Sequence, residues 1–422
     1  MCSGIQNLVN NFFSIQLSSS GSRLYLQRPL DNLIMPLNNK KCLFLVQGEG
    51  RGHMTQSISM KELLEKAGMT VSGILIGKSK RREIPSFYYE RIGISIIHIE
   101  SPNMATDKKT KAIKAFPSLL NVLLKLPQFF RSLLIIHREV KKYKPDVIIN
   151  FYEPLAGLYY FFFRPKAPMV CIGHHYMFNH PEYTMPEGHF FASLGLKLWT
   201  GLISIGAKKK LALSFYPFND CKDKSIYIIP PLLRREVQNQ GTANGNYLLV
   251  YLLNSGYMED IIHWHSQNLQ VQLHCFVDNK AIVDQHEYDS TLTFHELNDK
   301  KFLEMMANSK GLVTTSGFES VCEAMYLGKP VFMVPVEGHY EQYCNSRDAS
   351  EAGAGIYDTS FKIERLLTYL SGSYRENEEF REWVNKSELT ILKHIHNVVH
   401  ENNNVRQLRP YNVPNKKVAY PS

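Results

Sequence analysis

A short glycine-rich loop, GEGRGH at residues 48–53, is the first segment whose residue types could do chemistry. Glycines let a backbone approach a ligand closely, and a helix that begins after such a loop offers unpaired N–H groups to an anion. Gly50, Arg51 and Gly52 are therefore predicted to contact a phosphate or a second substrate. His53 suits a general base near neutral pH. A tight turn with an incidental histidine is the alternative, because the spacing matches neither the dinucleotide fingerprint nor a P-loop.

A second cluster, TTSGFESVCEAMYLGKP at residues 314–330, places polar residues where an apolar strand meets a helix. Ser316 and Gly317 would face an anion at that helix N-terminus. Glu323 follows Gly317 by about one and two-thirds helical turns. There its carboxylate could accept two hydrogen bonds from adjacent hydroxyls, such as a ribose diol. A solvated helix residue at position 323 is the alternative.

A third segment, VPVEGHYEQYCN at residues 334–345, follows the next apolar strand. Glu341 and Gln342 open its helical stretch, and both side chains suit sugar hydroxyls. For Gln342 a simple helix cap is the alternative.

The elements that must position these residues form two series. Apolar runs alternate with helical patterns from Lys41 onward, and a second series follows the lysine-rich region 208–231. Strands that are apolar on both faces are typical of parallel sheets covered by helices, so the sequence predicts an α/β protein with two doubly wound domains. The predicted segments are an N-terminal appendage at 1–39, domains at 40–217 and 218–360, helices at 361–402 that pack back toward the first domain, and a flexible tail at 403–422.

These motifs resemble those of GT-B nucleotide-sugar glycosyltransferases, especially the group around the peptidoglycan GlcNAc transferase in families 1 and 28. The second cluster resembles that group's donor-binding signature, and the loop ending in His53 resembles its first loop. The likeness spans residues 41–400. It implies a GT-B fold, in which two Rossmann-like domains face each other across a cleft. The N-terminal domain would face the acceptor and the C-terminal domain would bind a UDP-sugar.

The resemblance also implies roles for single residues. It places Glu323 on the ribose and Gly317 beside the phosphates. An arginine that helps neutralise the diphosphate matches Arg234, with its neighbour Arg235 as the alternative. Ser255 stands where the family has a Gly-Gly-Ser segment. Phe294 and His295 would lie beside the nucleobase of the donor, and Glu341 and Gln342 would contact its sugar. The donor-binding residues implied in this way are Arg234, Ser255, Phe294, His295, Ser316, Gly317, Glu323, Glu341 and Gln342.

Two further residues are candidates for the catalytic base besides His53. Glu153 and His174 each follow an apolar strand and would face the cleft. For Glu153 a helix-capping role is the alternative. His174, His175 and His180 invite a zinc site, but adjacent histidines cannot easily point at one ion, so contact with the acceptor is favoured.

Metal and cofactor signals are weak. The chain contains no D-x-D motif, and no two of its seven cysteines have the two-residue spacing of zinc or redox motifs. We therefore expect no metal and no cofactor, with the UDP-sugar as co-substrate. Scattered cysteines also favour reduced thiols and a cytoplasmic location.

The net charge and the hydropathy pattern limit the classes of partner that the protein is expected to bind. A net charge of +9 favours anionic partners, but no nucleic-acid motif accompanies it. Two apolar stretches, 116–136 and 188–207, fall short of a clean membrane span. They are either buried helices or interfacial helices that contact an anionic membrane, on the inner face of the cell membrane. The run Lys208–Lys210 is interpreted as a solvated face, with anionic lipid as the alternative.

The sequence thus predicts an inverting, metal-independent glycosyltransferase that moves a hexosyl unit from a UDP-sugar to a hydroxyl acceptor, with a lipid or lipid-linked glycan as one acceptor class. Two alternatives remain at this stage. One is a UDP-sugar 2-epimerase of the same fold. The other is a non-catalytic protein that binds sugar nucleotides or lipids.

Overall fold

The computed structural model describes residues 37–78, 84–102, 125–252, 255–279, 281–372, 374 and 376–407, the side chains of Ser255 and of residues 402–407 excepted. The predicted contact of Ser255 and residues 116–124 of the apolar stretch 116–136 therefore lie outside the described residues.

The first half of the chain forms a sheet of seven parallel strands in the order β3-β2-β1-β4-β5-β6-β7. In chain order the strands are β1 (Lys41–Gln47), β2 (Thr70–Lys78), β3 (Ile96–Glu100), β4 (Val147–Phe151), β5 (Met169–Gly173), β6 (Ala207–Leu213) and β7 (Ile226–Ile229). Strand β1 pairs with β2 on one side and with β4 on the other, which explains why Cys42–Val46 is apolar and fully buried.

Helices cover this sheet and connect its strands. They are α1 (Arg51–Lys66), α2 (Ser86–Ile92), α3 (Leu126–Tyr143), α4 (Leu155–Phe163) and α5 (Phe190–Ile203), with 3₁₀ turns at His174–Asn179 and Lys222–Lys224. None of them, nor any other helix in the described ranges, is long and apolar enough to span a membrane.

The second half forms a second seven-stranded sheet in the order β10-β11-β9-β8-β12-β13-β14. All of its pairs are parallel except that of β10 with β11. Its strands are β8 (Tyr247–Leu252), β9 (Gln272–Val277), β10 (Gln285–Glu287), β11 (Leu292–Glu296), β12 (Gly311–Thr314), β13 (Val331–Met333) and β14 (Gly355–Tyr357). Its helices are α6 (Arg235–Gln238), α7 (Met258–Ser266), α8 (Asp299–Asn308), α9 (Phe318–Tyr326), α10 (Tyr340–Glu351) and α11 (Glu364–Ser371), with a 3₁₀ turn at Ser255–Tyr257.

Two last helices, α12 (Glu378–Val384) and α13 (Ser387–Gln407), return to the first sheet. Trp383 of α12 donates its indole N–H to the Ser214 carbonyl at 3.0 Å, and α13 packs on β6 and β7. The two doubly wound sheets and the C-terminal helices confirm the predicted α/β fold class.

Two details differ from the sequence interpretation. Strand β7 pairs with β6, so the first sheet extends beyond the boundary predicted at residue 217. The run Lys208–Lys210 is part of strand β6: Lys208 is exposed, Lys210 is half-buried, and Lys209 is buried, with its Nζ 3.3 Å from His394 Nδ1 on α13. The charge of three successive lysines masks the alternation of inward and outward side chains that would indicate a strand.

Candidate functional site

One cavity of about 200 Å³ lies between the two sheets and is lined by both halves of the chain. From the first half it receives Gly50–His53, where β1 passes into α1. From the second half it receives Gly317 and Phe318, where β12 passes into α9. Two helix N-termini therefore open on the same space, and each attracts an anion through its unpaired N–H groups. The loop residues Gly50, Arg51 and Gly52 that the sequence singled out all lie here.

A cluster of rings forms the first wall of the cavity. His53 occupies the first turn of α1, and its ring centroid lies 5.6 Å from Tyr152 and 5.4 Å from His175. Tyr152 in turn stacks on His175 at 3.8 Å. Burial lowers the pKa of His53 to about 3. His53 is therefore uncharged at neutral pH, and the nearby carboxylate of Glu341 opposes the effect of burial by favouring the protonated ring.

Glu341 faces this cluster from the second half of the chain. Its Oε1 lies 2.9 Å from His175 Nε2. Burial alone would raise the pKa of Glu341, but the charge and hydrogen bond of His175 hold that pKa well below its ordinary value. The pair thus places a carboxylate next to two imidazoles.

His174 also lines the cavity, and it is fixed on both sides of its ring. Its Nδ1–H donates to the Leu213 carbonyl at 2.7 Å, and its ring stacks on Phe318 at 4.3 Å. Its Nε2 lies 3.6 Å from Asp348 Oδ2. Burial lowers the pKa of His174 to about 4 and raises the pKa of Asp348 to about 7. This arrangement suits a neutral, oriented imidazole.

An ion-paired arginine forms the opposite wall. Arg234 donates from Nε to Glu323 Oε1 at 2.7 Å and from Nη1 to Asp299 Oδ1 at 2.5 Å. Burial raises the pKa of Glu323, and the charge of Arg234 opposes that effect. Arg235 points elsewhere and is exposed, 3.9 Å from Glu388. The alternative between the two arginines is thus decided in favour of Arg234 as the cavity residue. All three members of the paired group line the cavity.

Glu319 is a cavity residue that sequence reasoning missed. It lies in the first turn of α9, and its carboxylate accepts a hydrogen bond from the side-chain amide of Gln56 on α1. Gly52 permits this approach, since a Cβ atom there would come within 2.9 Å of Glu319 Cγ. Burial raises the pKa of Glu319 to about 8. The available signal was its position: an acid two residues after a glycine at a helix start.

Ser316 and Gln342 shape loops beside the cavity without lining it. Ser316 takes a left-handed conformation at φ 62°, which is strained for a residue with a side chain, and its carbonyl accepts from Asn345 at 3.3 Å. The Gln342 side-chain oxygen accepts from the Val336 N–H at 2.9 Å. Both residues hold the segments that present Gly317 and Glu341.

Three predicted residues lie away from the cavity. Phe294 is buried in the core of the second sheet. His295 Nε2 lies 3.0 Å from His274 Nδ1, and its ring stacks on Phe276. Glu153 is fully buried, and its Oε1 accepts from Ser101 Oγ at 2.6 Å and from the Leu155 N–H.

Their positions correct two expectations, because Phe294 and His295 do not border the cavity and Glu153 does not face it. Phe294 packs in the core of the second sheet. His295 pairs in register with Phe276 of the neighbouring strand β9 and stacks on it, so it lies one strand further from the cavity, whereas Tyr251, Phe276 and Phe302 belong to the aromatic lining. Tyr251 and Phe276 lie near the carboxyl ends of β8 and β9, where ligands of open α/β sheets bind, and that rule is the signal that could have found them. Glu153 binds its own loop, so we do not retain it as a base.

The cavity has two further properties. Within the part of the chain that the structure describes, no group of three or more histidine, cysteine, aspartate or glutamate side chains could hold a metal ion. The volume of the cavity, about 200 Å³, is below the range of about 300–1,000 Å³ that is typical of small-molecule sites.

Comparison with known proteins gives the family. The sequence profile of glycosyl transferase family 1 matches residues 40–372. Among solved structures, Arabidopsis thaliana UGT89C1 complexed with UDP-L-rhamnose has a TM-score of 0.56 at 14% identity, covering 85% of this chain and 98% of its own. Acinetobacter baumannii MurG has a TM-score of 0.50 at 14% identity, covering 86% and 99%.

A third solved structure, the glycotransferase of kitacinnamycin, has a TM-score of 0.53 at 15% identity and covers 89% of this chain and all of its own. At such identities these likenesses establish the GT-B fold and no more. No curated protein matches the chain in sequence. The profile covers most of the chain, so the protein belongs to glycosyl transferase family 1 and is a nucleotide-sugar glycosyltransferase.

Proposed function

We propose that this protein is an inverting, metal-independent transferase that moves a hexosyl unit from a UDP-sugar to a hydroxyl acceptor. The observation that carries the proposal is the meeting of two helix N-termini, Arg234 and His53 at one cavity. The helix ends and the arginine suit a diphosphate, while the imidazole suits a hydroxyl proton. UDP as the leaving group is supported by the relatives solved with UDP and UDP-L-rhamnose.

In the proposed reaction, the acceptor oxygen bonds to the anomeric carbon as the bond from that carbon to the diphosphate oxygen breaks. The hydroxyl proton passes to His53, and the bonding electron pair leaves with UDP. Attack opposite the leaving group inverts the anomeric centre. Glu341 favours the charged form of His53 and so stabilises the imidazolium that forms. His174 remains the reserve base.

Stabilisation of the leaving group is assigned to groups of the chain itself. Arg51, Arg234 and the N-termini of α1 and α9 lie around the cavity, and such preorganised donors stabilise charge that develops on a departing diphosphate. The missing D-x-D motif supports a metal-independent site. Activity that persists in a chelator, measured as UDP release, is the expected result, and recovery only on adding a divalent cation would contradict it.

Glu323 is proposed to bind the donor ribose by means of its carboxylate. The side chain lines the cavity while Arg234 holds its Oε1. Glu323→Gln keeps the shape but replaces the carboxylate, so we expect UDP affinity to fall about tenfold, in line with the loss of one charged hydrogen bond. Calorimetry with UDP measures this, and Glu388→Gln is the control, because Glu388 lies on α13 and does not line the cavity. Unchanged affinity would remove Glu323 from the ribose.

The donor and acceptor classes call for a screen. A panel of nucleotide sugars is tested by thermal shift and UDP release, with and without membrane lipid extract. A lipid-linked acceptor predicts UDP release that depends on the extract. Product analysis with UDP-GlcNAc alone separates transfer from 2-epimerisation, because an epimerase needs no acceptor. Thermal stabilisation without any turnover would favour a non-catalytic binding protein.

A further inference from the structure

The outer face of α5 is apolar and uncovered. Phe190 and Phe191 are 71% and 85% exposed, and Leu194 and Leu198 continue the same side of the helix at spacings of four residues. The helix contains no acidic residue. Single exposed apolar residues are ordinary, but a row of large ones along one helix indicates a surface that meets another apolar phase.

A basic pocket of about 460 Å³ adjoins this face. Lys197 of α5 lines it together with Lys210 of β6 and Lys224, and Asp223 is the one carboxylate of the lining. Lys197 lies three residues after Leu194 and directly before Leu198, so the pocket borders the apolar row. Lys224 donates to the Asn179 carbonyl at 3.3 Å, which fixes its ammonium at the pocket wall. Three cations against one anion favour a phosphate group.

This surface is mechanically continuous with the catalytic cavity. The Asn179 side-chain amide donates to the Lys197 carbonyl at 3.3 Å and so joins α5 to the 3₁₀ turn that carries His174. Four residues before α5, the Pro186 carbonyl accepts a hydrogen bond from the Tyr340 hydroxyl at 3.0 Å, and Tyr340 directly precedes the cavity residue Glu341. These two contacts connect α5 and the segment before it to the segments that carry the cavity residues His174 and Glu341.

We propose that the α5 face, defined by Phe190, Phe191, Leu194 and Leu198, docks on an anionic membrane, and that the Lys197, Lys210 and Lys224 pocket binds a phospholipid phosphate headgroup. Charge complementarity favours this occupant, because a basic pocket beside an apolar row matches a phosphate beside acyl chains. This docking rests on the proposed function in one respect only: its purpose is to bring a lipid-linked acceptor to the cavity.

The test is vesicle sedimentation with the full chain. Vesicles of phosphatidylcholine alone are compared with vesicles that also contain phosphatidylglycerol. The double variant Phe190→Ser/Phe191→Ser should bind at least about tenfold more weakly, because two large apolar side chains no longer enter the bilayer. Lys197→Ser/Lys224→Ser should lose about tenfold of the preference for phosphatidylglycerol. Val283→Ser, at a residue 79% exposed in the second half, and Lys310→Ser are the matched controls.

Each outcome decides the proposal. Equal binding of the wild type to both vesicles would overturn the headgroup pocket, and unchanged binding of the phenylalanine variant would overturn the α5 surface. A wild type that is dimeric and ignores vesicles, with a monomeric phenylalanine variant, would assign the face to a second copy instead. If the protein binds vesicles but releases no UDP from any sugar nucleotide in the screen, the proposed transfer is wrong and the membrane surface stands. The two results are independent because sedimentation does not measure turnover.

Discussion

The two walls of the cavity differ in chemistry. The first-half wall presents imidazoles, His53, His174 and His175, while the second-half wall presents carboxylates and one buried arginine. Burial lowers the pKa of the first two imidazoles and raises the pKa of Glu319 and Glu323, so it pushes both walls toward their uncharged forms.

Side chains of the cavity stay charged where they contact a side chain of opposite charge. Arg234 holds Glu323 and Asp299 within one wall, and His175 meets Glu341 across the cavity. The imidazole wall is therefore organised around ring nitrogens that suit a hydroxyl proton, whereas Arg234 and the helix N-termini are organised to receive an anion. Experiments that break one wall should leave the function of the other intact.

The largest expected effect is on the imidazole wall. His53→Ala should lower kcat by about 10²–10⁴-fold, because a positioned general base contributes that much, while the affinity for UDP changes little. Steady-state kinetics and UDP calorimetry measure the two quantities. His98→Ala, at an exposed position of β3, is the control that should behave as wild type. A variant with normal turnover would pass the role to His174.

The contribution of the arginine wall to stability can be measured by comparing Arg234 with its neighbour in sequence, Arg235. Arg234→Met leaves Glu323 and Asp299 without their cation and should lower the free energy of unfolding by about 3–5 kcal/mol, the cost of breaking a buried pair. Arg235→Met alters an exposed side chain and should cost less than about 1 kcal/mol. Denaturant unfolding of both variants decides. Equal losses would show that the Arg234 pair contributes no more than a surface contact.

The smallest effect concerns the contact between the walls. Glu319 has a pKa of about 8 in the folded chain, raised by burial, so between its ordinary pKa and about 8 the unfolded chain ionises it and the folded chain does not. The contribution of Glu319 to the free energy of unfolding therefore falls as the pH rises through that window and is constant above it. Other groups face Glu319 or share its cavity: Gln56, Arg51 and His53 from α1, and Glu323 and Arg234 from its own half.

Glu319→Gln removes this ionisation while keeping a polar contact for Gln56. We expect the melting temperature of the variant, relative to wild type, to rise between pH 5 and pH 8. Thermal unfolding across that range is the measurement, with Glu304→Gln on exposed α8 surface as the control. A constant difference at all pH values would show that Glu319 is already ionised at pH 5.

Much of the site follows from chain order. Glycine-rich turns between an apolar strand and a helix predicted the loop at Gly50 and the turn at Gly317, because parallel strands direct all their carboxyl ends to one edge. Glu323 and Glu341 followed from their spacing within the next helices and from family resemblance. For these residues, the local pattern specifies the end of the sheet on which they lie, and the family resemblance adds the role.

The sequence by itself determined two α/β domains, the family and the helix starts that border the cavity. Tertiary structure decided which side chains enter that cavity. Phe294 and His295 satisfy the pattern yet pack inside the second half, and Glu319 meets Gln56 from 263 positions away. The reason is physical: a strand or helix is specified by neighbours in sequence, whereas the direction in which a side chain finds a partner depends on how two separately folded sheets approach each other.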